Sequence, residues 1–170
     1  DTNGRFAIIE FDGALPRARL FTRWEVIPDE AQTLARLGAA DFDPAATVLV
    51  HDPIPAPMAT TNAAVGEATI VPNRSTHQVH VKVNAPAPGV LLLTDRYDPA
   101  WKVAVDGQPA ALLRCNYLMR GVQVPAGNHT VEFTYHPAMG GFRLMAACIV
   151  VGLGILCFLA VAEWRIRWHS

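Results

Sequence analysis

Residues 76–84 read Thr-His-Gln-Val-His-Val-Lys-Val-Asn, and this alternation of polar and apolar side chains decides the fold class. Because successive side chains of a β-strand point to opposite faces, the pattern predicts a strand with Val79, Val81 and Val83 on one face. His77 shares their parity, whereas His80 has the opposite parity. A strand with one apolar and one polar face is typical of an antiparallel sheet that covers a core.

The residues after this strand contain further short apolar runs separated by turn sequences. Strands are predicted at residues 90–94, 101–105, 109–113, 118–124 and 129–135. Asp106-Gly107 between two of these runs is a strong hairpin turn. About seven strands at this spacing predict an antiparallel β-sandwich over residues 64–137.

The residues before the sandwich predict a small α+β unit over residues 1–52. A strand at 19–26 is followed by a helix with Asp29 as N-cap and Gly38 as its C-terminal stop. A second strand at 47–51 completes a β-α-β unit. A proline-rich stretch then predicts an extended linker at 53–63 and a subdomain boundary.

The C-terminal end contains an uncharged run from Leu144 to Ala162. As a helix this run is about 29 Å long, close to the roughly 30 Å thickness of a bilayer's hydrocarbon core. We therefore expect one transmembrane helix at 142–163. More basic residues follow the run than precede it, which predicts a cytoplasmic tail at 164–170 and the sandwich on the outer side.

The sequence begins at Asp1 without a methionine or an apolar signal segment. We expect either a processed product or the C-terminal piece of a longer protein. The net charge of −1 and the scattered basic residues argue against a nucleic-acid partner. Cys115 is the one cysteine outside the apolar run, so no disulfide is expected within the domain.

No set of residues predicts a catalytic or metal site, and we expect no cofactor. Asp95, Asp98 and Asp106 do not have calcium-loop spacing, and turn or loop roles explain them better. Two histidine pairs, His77 with His80 and His129 with His136, are each predicted on opposite strand faces. Neither Cys115 nor Ser75 lies in a motif that would make it a nucleophile.

Aromatic side chains leave a binding role open. Tyr97 and Tyr117 are candidate contacts for a glycan or a protein partner, whereas the alternation of Trp101 with Val103 and Val105 favours core packing. Within the apolar run, small residues could let another helix approach closely. This predicted helix-packing face consists of Ala147, Cys148, Gly152, Gly154 and Val161.

Several segments together resemble a known family. They are Asp95–Gly107, Asn116-Tyr117, Val124–Val131, Leu15–Ala18 and Asp41–Pro44. The chain resembles the C-terminal extracytoplasmic domain and last membrane helix of YfhO-like proteins, which are large bacterial membrane proteins related to lipid-dependent glycosyltransferases. Ala100 stands where such proteins usually have glycine before the tryptophan. The family's presumed catalytic part lies in N-terminal membrane helices, so the resemblance implies a fold and a location.

These observations lead to a hypothesis and two alternatives. We expect a non-catalytic, single-pass subunit of the bacterial inner membrane that docks onto other membrane proteins, for example in an energy-transducing assembly. The first alternative is a C-terminal module of a YfhO-like glycosyltransferase that helps to bind a glycan or lipid-linked sugar. A free glycan-binding module is the second alternative.

Overall fold

The computed structural model describes residues 13–55, 66–137 and 140–169. The chain divides into two compact units, Asp1–His136 and Pro137–Ser170. Two β-sheets build the first unit, and one long helix accounts for the described part of the second. The prediction of a mainly β, sandwich-like fold is therefore confirmed.

Eleven strands are described. In chain order they are β1 (Ala18–Phe21), β2 (Trp24–Val26), β3 (Val48–Val50), β4 (Glu67–Val71), β5 (Gln78–Ala85), β6 (Gly89–Arg96), β7 (Trp101–Val105), β8 (Gln108–Ala110), β9 (Leu113–Cys115), β10 (Met119–Val124) and β11 (Gly127–Tyr135). One sheet has the order β1-β6-β10-β9-β3-β2, and the other has the order β4-β5-β11-β7-β8. Every pairing is antiparallel except that of β2 with β3.

The main core lies between the two sheets. The alternation predicted for β5 is confirmed, because Val79, Val81 and Val83 are buried in it while Gln78 and Lys82 are exposed. Strand β6 is buried on both faces because its alternate residues join two different cores. This explains why its sequence is continuously apolar.

The β-α-β arrangement near the N-terminus is present. Helix α1 (Glu30–Leu37) begins after Asp29, whose carboxylate accepts a hydrogen bond of 2.8 Å from the backbone N–H of Gln32. Gly38 caps the other end, so both predicted helix boundaries are confirmed. The parallel strands β2 and β3 that flank α1 extend the sheet that also contains β6.

Two single strands of the sequence prediction are each divided in the structure. The predicted strand 19–26 is β1 and β2, which lie at opposite edges of one sheet. The predicted strand 109–113 separates into β8 in one sheet and the start of β9 in the other. Strand β4 was not predicted. An apolar run alone does not reveal where a chain changes sheets, which explains the two divisions.

The hairpin between β7 and β8 has the predicted turn. Asp106 and Gly107 have φ angles of 51° and 77°. Positive φ at both central residues is the requirement of a type I′ turn, which suits the twist of the flanking strands. The prediction from the Asp-Gly pair is therefore confirmed.

The second unit contains helix α2 (Gly140–His169), which covers the predicted span 142–163 and continues beyond both of its ends. Within the described part of the chain, neither helix is both long enough and apolar enough to cross a membrane. Most of the predicted linker 53–63 and the first twelve residues of the predicted α+β unit lie outside the described residues.

Candidate functional site

An open cleft of about 540 Å³ lies at one end of the sandwich, and we call it the arginine cleft. Its lining residues are Arg17, Thr76, His77, Val79, Asp95, Arg96, Asp98, Trp101, Arg120 and Tyr135. They lie at or just before the starts of β1, β5, β7 and β10, and at or just after the ends of β6 and β11. The antiparallel pairing brings these strand ends together.

Arg120 lies at the inner side of the cleft with only 3% of its surface exposed. Its terminal nitrogens donate to Asp95 Oδ2 at 2.7 Å and to the Arg96 carbonyl oxygen at 3.0 Å. Its guanidinium carbon lies 3.9 Å from the centroid of the Trp101 ring, a cation–π contact. Arg120 Nε is buried without a hydrogen-bond partner among the described residues.

Asp95 links this buried arginine to a second one at the surface. Arg17 donates from Nε at 2.9 Å and from a terminal nitrogen at 2.8 Å to the two carboxylate oxygens of Asp95. These hydrogen bonds, and then the charge of Arg120, hold the pKa of Asp95 below its ordinary value against the opposing effect of burial. Burial lowers the pKa of Arg120, and the charge of Asp95 opposes this shift.

A local irregularity places Asp95 in this position. Met119 of β10 pairs with Arg96, whereas the next residue, Arg120, pairs with Leu93. Thr94 and Asp95 therefore form a bulge in β6. Bulges re-aim side chains at the edges of binding sites, and here the bulge accompanies the bridge from Asp95 to both arginines.

The rings of Trp101, Tyr135 and His77 follow one another from the interior to the surface of the cleft, and we call them the aromatic ladder. The ring centroids of Trp101 and Tyr135 are 5.3 Å apart, and those of Tyr135 and His77 are 6.2 Å apart. Arg120 contacts the inner end of the ladder, and His77 is exposed at the outer end. The arrangement can offer apolar ring surface beside charged hydrogen-bond donors.

The three aspartates considered in the sequence analysis have different partners in the structure. Asp98 accepts a hydrogen bond of 2.8 Å from the backbone of Ala100, so its predicted role in the loop before Trp101 is confirmed. Asp106 lies in the predicted turn. Asp95 does not organise that loop, and its partners are instead Arg17 and Arg120.

The four histidines of the two predicted pairs have separate surroundings. Among the described residues no group of three or more His, Cys, Asp or Glu side chains could hold a metal ion. His77 lies before β5 and stacks on Tyr135, while His80 within β5 is 3.5 Å from Glu132. His129 pairs with Asp106, and His136 lies just beyond β11.

Cys115 is completely buried, and burial raises the pKa of its thiol far above the ordinary value. A thiol in this state is not a nucleophile at neutral pH.

The two predicted contact tyrosines lie outside the lining of the arginine cleft. Tyr97 follows β6, and its backbone N–H donates to the Leu118 carbonyl oxygen at 2.7 Å. Tyr117 has a φ angle of 69°, and the Arg114 guanidinium lies 5.3 Å from its ring centroid. Both side chains are half-buried, and their proposed contacts remain predictions.

The residues of the predicted packing face of α2 are accessible to solvent. Ala147, Cys148, Gly154 and Val161 are exposed, and Gly152 is half-exposed. A Cβ atom added at either glycine would meet no other described atom within 4 Å. The packing of another helix on this face stays a prediction.

Arg17, Arg120 and Tyr135 are cleft residues that the sequence did not indicate. Arg120 carried a usable signal, because it shares strand parity with Val122 and Val124, both of which are buried. A charged residue at a core-facing position of a strand predicts a buried ion pair.

Fold and cleft together define the class, a β-sandwich module with a cleft at one end, in a chain that continues into a long helix. Residues 59–148, just over half of the 170 residues, match the family described as bacterial membrane protein YfhO. The chain therefore belongs to the YfhO family of bacterial membrane proteins, as the resemblance in its sequence indicated. Comparisons with curated proteins and with solved structures gave no match.

Proposed function

We propose that this chain is a non-catalytic, membrane-anchored module that binds a glycan in the arginine cleft. It would serve a glycosyltransferase-related membrane protein of the YfhO family by holding a glycan or lipid-linked sugar near the membrane. The family membership supports the membrane context. The glycan-binding role rests on the geometry of the cleft.

The observation that carries the proposal is the aromatic ladder beside the Arg17–Asp95–Arg120 network. The cleft volume of about 540 Å³ lies within the range of about 300–1,000 Å³ that is usual for small-ligand sites. A sugar presents an apolar C–H face and a rim of hydroxyl groups. Tyr135 and His77 can contact the apolar face, while the charged side chains reach the hydroxyl groups.

The membrane anchor is part of the same proposal and rests on the sequence. The uncharged run 144–162 falls within α2. Its described large side chains, such as Ile149, Leu153 and Phe158, are more than half exposed. A contiguous apolar surface of this kind is unfavourable in water and favourable in a bilayer.

A glycan array tests the binding role. The probe is the full chain in phosphatidylcholine nanodiscs, and the variants are Tyr135→Ala and His77→Ala. We expect a defined set of glycans to bind and both variants to weaken that binding about tenfold, the equivalent of roughly 1.4 kcal/mol of lost contact.

Tyr117→Ala is the matched control, because Tyr117 is a half-buried aromatic residue outside the cleft. The Tyr117→Ala variant should bind the glycans with the same affinity as the unmodified chain. Equal losses of glycan affinity in Tyr117→Ala and Tyr135→Ala would contradict a site confined to the cleft and would favour the tyrosine pair predicted from the sequence. The absence of any bound glycan would overturn the proposal.

A second candidate function is docking onto other membrane subunits through the sandwich and α2. The observation that favours it is the open space beside Gly152 and Gly154, which would let another helix approach closely. Native extraction in mild detergent tests this role. A stoichiometric partner that is lost in Gly154→Leu would support it, and a chain that migrates alone would contradict it.

A further inference from the structure

Hydrogen-bond donors and acceptors are unevenly available in the arginine cleft. Three arginines line it, Arg17, Arg96 and Arg120, against the two carboxylates of Asp95 and Asp98. An arginine side chain carries only donors, and an ionised carboxylate carries only acceptors. The chemistry offered to a ligand therefore depends on which of these groups are already paired.

The carboxylates are largely paired within the protein. Asp95 accepts three charge-assisted hydrogen bonds, two from Arg17 and one from Arg120, at 2.7–2.9 Å. One oxygen of Asp98 accepts from the backbone N–H of Ala100. The other Asp98 oxygen accepts no hydrogen bond from a described residue, and it is the carboxylate oxygen most open to a neutral sugar hydroxyl group.

Donors, in contrast, remain available at the surface. The Arg17 side chain is 54% exposed and uses Nε and one terminal nitrogen on Asp95. Its other terminal nitrogen makes no hydrogen bond to a described residue. Arg96 is exposed, and only its backbone carbonyl is used by Arg120. The charge of Asp95 is shared between two guanidinium groups, so the cleft keeps a positive excess.

We propose that the glycan bound in the arginine cleft is acidic, with a sugar oxyanion that pairs with Arg17 and Arg96. This inference rests on the proposed glycan-binding function. The oxyanion is a carboxylate or a phosphate ester, both of which accept paired hydrogen bonds from a guanidinium group. The aromatic ladder contacts the sugar ring, and Arg120 holds Asp95 without touching the ligand.

The test compares three ligands that share one sugar ring and differ in charge. Isothermal titration of the full chain in phosphatidylcholine nanodiscs uses methyl glucoside, methyl glucuronide and glucose 1-phosphate. We expect at least one acidic ligand to bind about tenfold more tightly than the neutral one. The two acidic ligands separate a carboxylate site from a phosphate site. The preference should weaken as salt is added, because Arg17 and Arg96 are solvent-exposed.

The variants Arg17→Gln and Arg96→Gln should abolish the preference for acidic ligands, so that the acidic ligands bind no more tightly than methyl glucoside. Arg23→Gln is the matched control, because Arg23 is exposed and lies outside the cleft lining. Equal affinities for all three ligands would overturn the acidic preference and leave the proposed function standing. Failure of all three to bind would overturn both.

Discussion

Arg120 and Asp95 form one ion pair, but the consequences of removing each partner differ. Asp95→Ala leaves the buried Arg120 guanidinium without a carboxylate, and an uncompensated buried charge costs about 3–5 kcal/mol. In Arg120→Met, Asp95 keeps Arg17, and methionine can fill the space over Trp101, so we expect a loss of about 1–2 kcal/mol.

Urea denaturation of the full chain in detergent, followed by tryptophan fluorescence, measures both losses. Arg23→Gln again supplies the control for removal of a surface charge. A larger loss in Arg120→Met than in Asp95→Ala would mean that the stack on Trp101, and not the charge balance, dominates the stability of the pair.

His129 lies at the other end of the sandwich, and its contacts predict that the folding stability depends on pH. Its Nδ1 lies 2.6 Å from Asp106 Oδ2, and its Nε2 lies 3.2 Å from the Ala126 carbonyl oxygen. Both neighbours are acceptors, so both ring nitrogens donate only in the imidazolium form. The hydrogen bond to Asp106 raises the pKa of His129, and the same bond lowers the pKa of Asp106.

The sign of the effect follows from these two shifts. The raised pKa of His129 gives stability that is complete below its ordinary value of 6.5 and is lost as pH rises through the folded value. The lowered pKa of Asp106 gives stability that is complete above 3.8 and is lost as pH falls through the folded value. The stability difference between wild type and His129→Gln should therefore be largest between pH 3.8 and 6.5.

Thermal unfolding at a series of pH values measures this difference. Glu67 and Lys82 line the same pocket as His129. Both residues are present in the wild type and in the variant, so their own titration does not separate the two proteins. His136→Gln controls for the loss of an imidazole, because His136 is exposed and makes no ion pair with a described residue. A difference for His129→Gln that stays constant from pH 4 to pH 9 would contradict the imidazolium assignment.

At the scale of an element, β10 depends on Gly121 for its close fit between β6 and β9. A Cβ atom at this position would lie 2.7 Å from the Leu91 carbonyl oxygen and 2.9 Å from Cys115 Sγ. Backbone cannot move aside as a flexible side chain can, so Gly121→Ala should cost about 1–3 kcal/mol. The midpoint of chemical denaturation measures the loss, and an unchanged midpoint would contradict the tight packing.

Gly107→Ala provides a comparison with a different physical cause. A Cβ at Gly107 would meet nothing within 4 Å, but the φ angle of 77° is unfavourable for alanine. We expect Gly107→Ala to lower the free energy of unfolding by about 1 kcal/mol, and this loss comes from backbone strain alone.

The sequence predicted those elements whose signal is local. The β5 alternation, the Asp29 and Gly38 caps and the Asp106-Gly107 turn each lie within a few residues, and each is confirmed. The change of sheet between β8 and β9 was not predictable, because Leu112-Leu113 continues the apolar run while the pairing partners change. Strand β4 is a short edge strand without a fully buried residue, so its apolar pattern is weak.

The arginine cleft depends on contacts that are distant in sequence. Asp95 pairs with Arg17 at a separation of 78 residues and with Arg120 at a separation of 25 residues. No local pattern joins such residues, and the bulge that accompanies these contacts is a property of the paired strands. Arg120 shares strand parity with the buried residues Val122 and Val124, and this was the only local signal from which its need for a buried partner could have been predicted.

At the scale of the whole molecule, the proposed membrane topology makes a prediction about chemical labelling. Ser75 is exposed between β4 and β5, and Ser170 follows the basic residues that come after the uncharged run. In bacterial spheroplasts, a membrane-impermeant maleimide should label Ser75→Cys directly and Ser170→Cys only after permeabilisation. The positive-inside bias of Arg165 and Arg167 is the physical reason for this difference.

The native cysteines provide the background for this measurement. Cys115 is buried in the sandwich, and the raised pKa of its thiol keeps it unreactive. Cys148 and Cys157 belong to the uncharged run, so the proposed bilayer shields them from a water-soluble reagent. The unmodified chain should therefore label weakly in spheroplasts. Strong labelling at Cys148 or Cys157 in intact spheroplasts would place the run in water and overturn the anchor, whereas labelling of Ser170→Cys without permeabilisation would overturn the orientation alone.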